Sequence, residues 1–214
     1  MAAALGHLLS LICPPSCWSC GAPARGGDPL CRGCRAGLRR LGPEPVLLAG
    51  VETWAPLAYE GGARALVRGL KYRNAVALAG PMAAQVAANA PPGVLGAGNT
   101  LVPVPLHPAR MRRRGFNQAE RLAGALAVRT GLGVCDCLQR GGPATRQVGR
   151  DRDERLEGPA GAVSLRPGRP VPGRVVLVDD VTTTGATLAA CAAALRGAGT
   201  RRLTAVAFAR TLGR

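Results

Sequence analysis

Two adjacent carboxylates, Asp179 and Asp180, follow four consecutive apolar residues and precede a turn rich in hydroxyl groups. The apolar run at residues 175–178 is typical of a buried strand, and an alanine-rich helix is predicted after the turn. A glycine- and hydroxyl-rich turn at a helix start directs free backbone N–H groups and the helix dipole toward an anion. The paired carboxylates suit vicinal sugar hydroxyls or a metal that bridges a diphosphate. The segment therefore predicts a phosphate site. The alternative, an N-cap beside a solvated strand end, explains single residues, whereas the joint pattern favours the phosphate site.

Four of the eight cysteines form two Cys-x-x-Cys pairs, Cys17 with Cys20 and Cys31 with Cys34. Pairs at this separation can place four thiolates tetrahedrally at about 2.3 Å from one zinc ion. Such a site has no open coordination position, so the predicted zinc is structural. Two disulfides are the alternative, but a cytosolic chain does not normally hold them. Cys13 could substitute as a ligand, although its spacing to Cys17 is looser.

Lys71 is the single lysine of a chain that carries 28 basic residues, all the others being arginine. A lysine ammonium is a compact point charge that a planar guanidinium does not reproduce. Lysine at this one position therefore indicates a functional role, with chance retention as the alternative.

Short β-rich runs alternate with longer helical patterns from residue 46 onward. Strands are predicted at residues 53–59, 100–105, 134–138, 175–180 and 203–209. Helices are predicted at residues 63–70, 75–89, 117–130 and 186–198. This alternation predicts an α/β fold with a mostly parallel sheet flanked by helices. Ligands of such sheets bind beyond the carboxyl ends of the strands, where the Asp179 turn would lie.

The length of 214 residues allows one domain of ordinary size and a small appendage. We predict an N-terminal helix and zinc ribbon at residues 1–45 and the α/β domain at residues 46–214. The helix is predicted from one apolar stripe, which we expect to dock on the protein's own surface rather than on a membrane; its residues are Leu5, Leu8, Leu9 and Ile12.

The net charge of +16 suits a nucleic-acid partner, because clustered cations gain affinity by releasing counterions. The charge comes almost entirely from arginine in a chain with 30 glycines and 18 prolines, which is typical of a GC-rich genome, so a solvated basic surface is favoured. No run of 18 apolar residues occurs, so no membrane span is predicted. The first twelve residues lack a basic start and a cleavage site, which makes the cytoplasm the expected location.

Residues 175–187 closely resemble the motif with which type I phosphoribosyltransferases bind 5-phosphoribosyl-1-pyrophosphate (PRPP). Four further stretches, in this order, resemble the ComF family, which joins a zinc ribbon to a phosphoribosyltransferase domain: the two Cys-x-x-Cys pairs, Leu70-Lys71-Tyr72-Arg73, Val102-Pro103-Val104-Pro105-Leu106-His107 and Arg114-Gly115-Phe116-Asn117-Gln118. The resemblance extends over nearly the whole chain and implies a type I phosphoribosyltransferase fold.

The resemblance also implies roles for individual residues. Asp179 and Asp180 would contact the ribose hydroxyls. The PRPP-binding set would further contain Thr182, Thr183, Thr184, Gly185, Ala186, Thr187, Lys71, Tyr72, Leu106 and His107, with residues 183–187 cradling the 5-phosphate. Arg110 and Arg114 would neutralise the departing pyrophosphate, the alternative for each being a charged loop that faces water. The two prolines predict that the preceding strand ends at the sheet edge or leads straight into a loop.

The polar segment at residues 140–158 is typical of a mobile loop between strands. In type I enzymes such a loop closes over PRPP, and Gln147 and Arg155 are similar to the loop residues of the family. Relatives carry Asn where this chain has Gly158, which changes the expected closing contacts.

The implied reaction is displacement of pyrophosphate from C1 of ribose by an unidentified acceptor, with Mg²⁺ bound alongside PRPP. Purine-salvage relatives carry an aspartate where this chain has Thr183, so that base-activating carboxylate is absent. The alternative function is a PRPP-sensing or single-stranded-DNA-handling accessory protein of competence and DNA uptake. A third alternative is a domain that has kept the fold and lost the ligand.

Overall fold

The structure is a computed structural model that describes residues 16–141 and 163–212. Within those residues the strands are Val46–Leu48 (β1), Val51–Trp54 (β2), Leu57–Ala58 (β3), Thr100–Pro103 (β4), Gly133–Val134 (β5), Leu138–Arg140 (β6), Val163–Leu165 (β7), Arg174–Thr182 (β8) and Arg202–Arg210 (β9). The helices are Arg32–Ala36 (α1), Gly61–Tyr72 (α2), Ala79–Asn89 (α3), Pro108–Arg114 (α4), Gln118–Thr130 (α5) and Ala186–Gly197 (α6). None of these helices is long and apolar enough to cross a membrane.

Seven strands form one sheet in the order β1, β2, β9, β8, β4, β5, with β3 also paired to β9. The β1–β2 hairpin is antiparallel, and the other pairs in this sheet are parallel. β6 and β7 form a separate antiparallel pair. The mostly parallel sheet flanked by helices that the sequence predicts is therefore confirmed, and β8 lies near its centre.

Helices cover both faces of the sheet, which explains why β8 carries a continuous apolar run. Val176 and Val178 belong to the core that contains residues of α2, α3 and α5. Val175 and Leu177 belong to a second core that contains residues of α6. Because side chains alternate along a strand, the odd-numbered and even-numbered residues of β8 face different layers.

The cysteine-containing segment before β1 packs against the first of these cores. Cys17, Leu30 and Leu38 are buried in the same cluster as Leu66 and Leu70 of α2. The division of the chain at residues 45 and 46 remains a prediction, since this packing makes the two parts share a core.

The predicted strand at residues 134–138 is wrong as a single element. Val134 pairs with β4 in the main sheet, whereas Leu138 pairs with Leu165 in the small sheet. Between them Asp136 forms an ion pair with Arg166 at 3.2 Å. A partly solvated carboxylate is poorly suited to a buried strand interior, so the chain changes sheets there.

The predicted strand at residues 53–59 is also interrupted, because Pro56 separates β2 from β3. β1, which was not predicted, joins β2 through a two-residue turn in which Ala49 and Gly50 have φ of 47° and 79°. Positive φ at both positions gives the turn the twist that a hairpin needs. Alanine is an unusual residue for this turn, which is why the hairpin was missed.

Two helical segments differ from their predictions. The stretch predicted as one helix at residues 75–89 begins with a 3-10 turn, Val76–Leu78, and becomes α-helical at Ala79. The basic segment predicted as a turn contains α4, which starts with Pro108 and ends at Gly115 in the left-handed conformation. Proline at the first position and glycine after the last are ordinary helix boundaries.

Candidate functional site

The turn between β8 and α6 lies at the carboxyl end of the sheet. Gly185 precedes α6 with φ of 81°, and a β-carbon placed there would lie 2.7 Å from Cβ of Leu48. Glycine is therefore required both by the backbone conformation and by the approach of the β1–β2 turn. The remaining predicted turn residues range from buried Thr182 through half-buried Thr187 to exposed Thr183, Thr184 and Ala186. Thr184 Oγ1 accepts the Ala186 N–H at 3.5 Å, and the exposed Thr183 and Thr184 hydroxyls lie beside the remaining first-turn N–H groups, which have no partner within the helix.

Asp180 is 1% exposed and faces the α2 and α5 side of the sheet. Nζ of Lys71 lies 2.9 Å from Oδ2 of Asp180, an ion pair by distance although its angles fall short of those of a hydrogen bond. Nε2 of Gln118 donates to Oδ1 at 3.4 Å. Burial lowers the pKa of Lys71, but the carboxylates of Asp180 and Asp179 outweigh it and raise the pKa above its usual value. Lys71 therefore stays charged in this pair.

Asp179 is half-buried on the opposite side of the sheet. Its Oδ1 accepts a hydrogen bond from the backbone N–H of Asp180 at 2.8 Å. Burial and the neighbouring Asp180 charge raise the pKa of Asp179 to about 8, although Lys71 acts in the other direction. Asp179 also interacts electrostatically with Arg140 and Cys191, which belong to the α6 side. Of the two carboxylates, Asp179 is the one that solvent reaches.

Arg114 and Tyr72 extend the Asp180 network toward the surface. Nη1 of Arg114 donates to Oε1 of Gln118, and its guanidinium carbon lies 5.6 Å from the Tyr72 ring centroid. Burial lowers the pKa of Arg114, which nevertheless remains cationic. Gln118 thus connects Arg114, which lies over Tyr72, to the Lys71–Asp180 pair.

Gln118 was not predicted as a site residue. It is 7% exposed and follows the helix cap of α5, where Asn117 accepts from the Ala119 N–H at 3.0 Å. Asn117 also donates through Nδ2 to the Val104 carbonyl at 3.0 Å. Its place in the Arg114-Gly115-Phe116-Asn117-Gln118 stretch, directly after the helix cap, was the available sequence signal.

His107, Arg110 and Arg140 form a second basic group, near Asp179. The exposed His107 caps α4 and accepts the Ala109 N–H at 3.2 Å through Nδ1. Partial burial, followed by Arg140 and Arg110, lowers the pKa of His107. Arg140 was not predicted; burial and Arg110 lower its pKa, and its Nε is buried without a hydrogen-bond partner in the described part of the chain. Leu106 is half-buried beside this group.

The four predicted cysteine ligands lie together, their sulfur atoms all within 4.8 Å of one another. The Cys20 and Cys31 sulfurs are 3.7 Å apart, close to the edge of about 3.8 Å of a tetrahedron with zinc–sulfur bonds of about 2.3 Å. Cys31 precedes α1, and its sulfur accepts the Cys34 N–H at 3.5 Å. All four are free thiols, so the disulfide alternative is not formed. The donor set and its spacing fit a structural zinc ion.

Several predicted residues lie outside the described residues. These are Gln147 and Arg155 of the predicted loop, Cys13 and the apolar stripe near the N-terminus. Among the described ones, the site comprises the Asp179 turn, the Lys71–Asp180–Gln118–Arg114 network and the basic group around His107.

The parallel sheet, its helices on both faces and the carboxylate-bearing turn after a central strand define an α/β architecture of the type I phosphoribosyltransferase kind. Within that class, the chain is 36% identical over 87 residues to competence protein ComFC of Streptococcus pneumoniae strain ATCC BAA-255 / R6. The match covers 41% of this chain and spans 37% of the length of that relative. No family model matches the chain. The resemblance to the ComF family that the motifs indicate is confirmed by this partial match.

Proposed function

We propose that the protein binds PRPP at the carboxyl edge of its sheet and transfers the phosphoribosyl group to an acceptor with release of pyrophosphate. The observation that carries the proposal is the turn after β8, where the half-buried carboxylate of Asp179 lies next to exposed hydroxyls and free N–H groups. Basic side chains stand on both sides of this turn. A ligand with a sugar hydroxyl pair, a monophosphate and a diphosphate matches these three features.

In the proposed complex the 5-phosphate lies on residues 183–187, at the positive end of the α6 dipole. Asp179 accepts a hydrogen bond from a ribose hydroxyl. Lys71 and Gln118 hold the Asp180 carboxylate in place. Asp180 therefore fixes the conformation of the strand end, and it would contact the ligand only if the ligand displaced Lys71. Tyr72 lines the rim, where it is 64% exposed.

In the proposed reaction the bond from ribose C1 to the pyrophosphate oxygen breaks, and a bond from C1 to the acceptor forms. The leaving oxygen takes the electron pair, and Arg110, Arg114, His107 and Arg140 offset the charge that develops there. Mg²⁺, when bound with PRPP, would neutralise further diphosphate charge, and the carboxylate oxygen of Asp179 is a suitable donor for it. Gln147 and Arg155 would act from the loop.

Calorimetric titration with PRPP and Mg²⁺ tests binding. The Asp179 carboxyl, with its pKa of about 8, is ionised in the free protein only above that pH, so at about pH 9 Asp179→Asn should weaken PRPP binding at least about tenfold, the loss of one charge-assisted contact. Asp136→Asn is a matched control, since it neutralises another half-buried aspartate, one that lies between β5 and β6 and pairs with Arg166. Equal affinities of the two variants and the wild type would contradict the site. Pyrophosphate release with purines, pyrimidines, amines and ammonia then tests transfer.

A role in DNA uptake is the second proposal, supported by the similarity to a competence protein and by the net charge of +16. Single-stranded DNA would bind through its backbone to the arginine-rich surface. Fluorescence anisotropy with labelled oligothymidine should show affinity that falls steeply between about 50 and 300 mM salt. Affinity that does not change with salt would contradict backbone binding, and competition by PRPP would place both ligands on one surface.

We further propose that Cys17, Cys20, Cys31 and Cys34 bind a structural zinc ion within a ribbon unit at residues 1–45, with the phosphoribosyltransferase domain at residues 46–214. A cytoplasmic location suits this proposal, because reducing conditions keep thiols available for metal. Metal affinity would supply folding free energy to a segment too short to bury a core by itself.

A further inference from the structure

Helix α2 contacts the cysteine-containing segment along one side. A β-carbon placed at Gly62 would lie 3.0 Å from Cδ1 of Leu30 and 3.1 Å from Cδ2 of Leu38. One placed at Gly69 would lie 2.7 Å from Cδ1 of Leu78 and 2.8 Å from Cε3 of Trp18. Seven residues are two helical turns, so the two glycines form one face. The segment therefore packs directly on the backbone of α2.

The last turn of the same helix supplies the site. Lys71 forms the ion pair with Asp180, and Tyr72 lies beneath the Arg114 guanidinium. Arg73, the next residue, places its guanidinium carbon 6.0 Å from the Trp18 ring centroid. Contacts to the ribbon and contacts to the site thus come from three consecutive residues.

The glycine content of α2 makes this helix depend on tertiary packing. Glycine costs a helix about 1 kcal/mol relative to alanine, and α2 contains three, Gly61, Gly62 and Gly69, so packing must hold it. At its end Asn74 takes the left-handed conformation with φ of 52°, and the Ala75 N–H donates to the Gly69 carbonyl at 3.4 Å, so this capping bond forms at the residue that contacts Trp18.

 Gly62 and Gly69, the two that face the ribbon, are the ones whose cost must be offset by packing against it.

We propose that the cysteine ribbon is a positioning element for the site: when organised by its metal, it holds the last turn of α2 so that Lys71 meets Asp180. Trp18 and Gly69 are then positioning residues that touch no ligand. If PRPP binds as proposed above, metal retention and PRPP affinity must strengthen each other, because coupling between two binding sites is reciprocal. The positioning itself does not depend on the identity of the ligand.

Lys71 provides a direct readout, since it is the single lysine of the chain. The rate at which dilute acetic anhydride acetylates Lys71, followed by peptide mass spectrometry, reports how often the ion pair opens. Hydrogen exchange of β8 and β9 in the same samples reports whether the sheet stays folded. Neither measurement uses PRPP, so a failure here is distinguishable from a failure of the proposed function.

Removing metal from the wild-type protein with a chelator should raise the Lys71 acetylation rate at least about fivefold, which corresponds to about 1 kcal/mol, while β8 and β9 stay protected. Gly69→Ala, which crowds Trp18 and also Leu78, should raise the Lys71 acetylation rate with metal still bound. Gly124→Ala is the matched control, because this helical glycine has no neighbour within 4 Å of an added β-carbon. An unchanged Lys71 rate after metal loss would overturn the proposal, and so would loss of protection in β8 and β9, since the ribbon would then support the whole fold.

Discussion

Asp179 and Asp180 are neighbours in the sequence but face opposite sides of the central sheet. Asp180 is buried against Lys71 and Gln118, whereas Asp179 is half-buried near Arg140. The two carboxylates therefore have different roles: Asp180 stabilises the strand end, and Asp179 is accessible to solvent.

The division predicts that Asp180→Asn costs stability. The substitution leaves the Lys71 ammonium without its ionic partner. We expect the free energy of unfolding to fall by about 2–3 kcal/mol. This is toward the lower end for a buried ion pair, because 20% of the Lys71 side chain is exposed. Urea denaturation measures it. Adding Lys71→Met should recover part of the loss, and a double variant no more stable than Asp180→Asn would contradict the ion pair's role.

The raised pKa of Asp179 predicts a specific pH dependence of stability. The folded protein keeps this proton up to about pH 8, whereas the unfolded chain releases it near the usual value of 3.8. The folded state therefore binds more protons between these values, so the free energy of unfolding falls as pH rises through this window and levels off above it. The charged groups that set this behaviour are Asp180, Lys71 and Arg140.

Asp179→Asn should remove this slope, which has an upper limit of about 1.4 kcal/mol per pH unit. Urea midpoints at about pH 5 and about pH 8.5 should therefore show the variant gaining stability relative to the wild type at the higher pH. Parallel pH dependences of the two proteins would contradict the shifted carboxyl.

Gly185→Ala should destabilise the protein more than an alanine substitution at a glycine whose only constraint is a positive φ. An added β-carbon is strained by the left-handed backbone and also meets Leu48 at 2.7 Å. Gly131→Ala is the matched control, since its φ is 72° with no atom within 4 Å. We expect about 1 kcal/mol of destabilisation for the control and at least about 2 kcal/mol for Gly185→Ala. Thermal melts measure both, and equal losses would contradict the close approach of the hairpin.

Cys20→Ser should release the metal. Elemental analysis of the purified wild type should give one zinc per chain, and the variant should retain markedly less because three thiolates bind zinc more weakly than four. Cys135→Ser is the control, since this thiol lies outside the cluster and contacts the Pro170 carbonyl at 3.4 Å. Equal zinc content in the two variants would contradict the assignment of the ligands.

Local sequence patterns were sufficient for the parallel sheet and for the cysteine cluster. The β8 run and the amphipathic pattern of α5 follow directly from residue order, as does the spacing of the four thiols. Each of these patterns involves residues that are close together in the chain, so it can be recognised from the sequence alone.

The internal organisation of the site required the structure. Lys71 and Asp180 are far apart in the chain, so their pairing depends on how α2 lies against β8. The separate environments of Asp179 and Asp180 depend on which helix covers each face. Gln118 and Arg140 were missed for the same reason, since their roles come from burial beside residues of other elements.

Gly62 and Gly69 predict which relatives of this chain carry a ribbon packed on the same helix. Alanine would favour the helix at both positions, so the reason for glycine is the ribbon at Gly62, and the ribbon together with Leu78 at Gly69. A homologous domain that has lost its cysteines would be free to carry a larger side chain at the place of Gly62. Two glycines seven residues apart, upstream of a Lys-Tyr dipeptide, would then be a sequence marker for chains in which the ribbon packs on this helix.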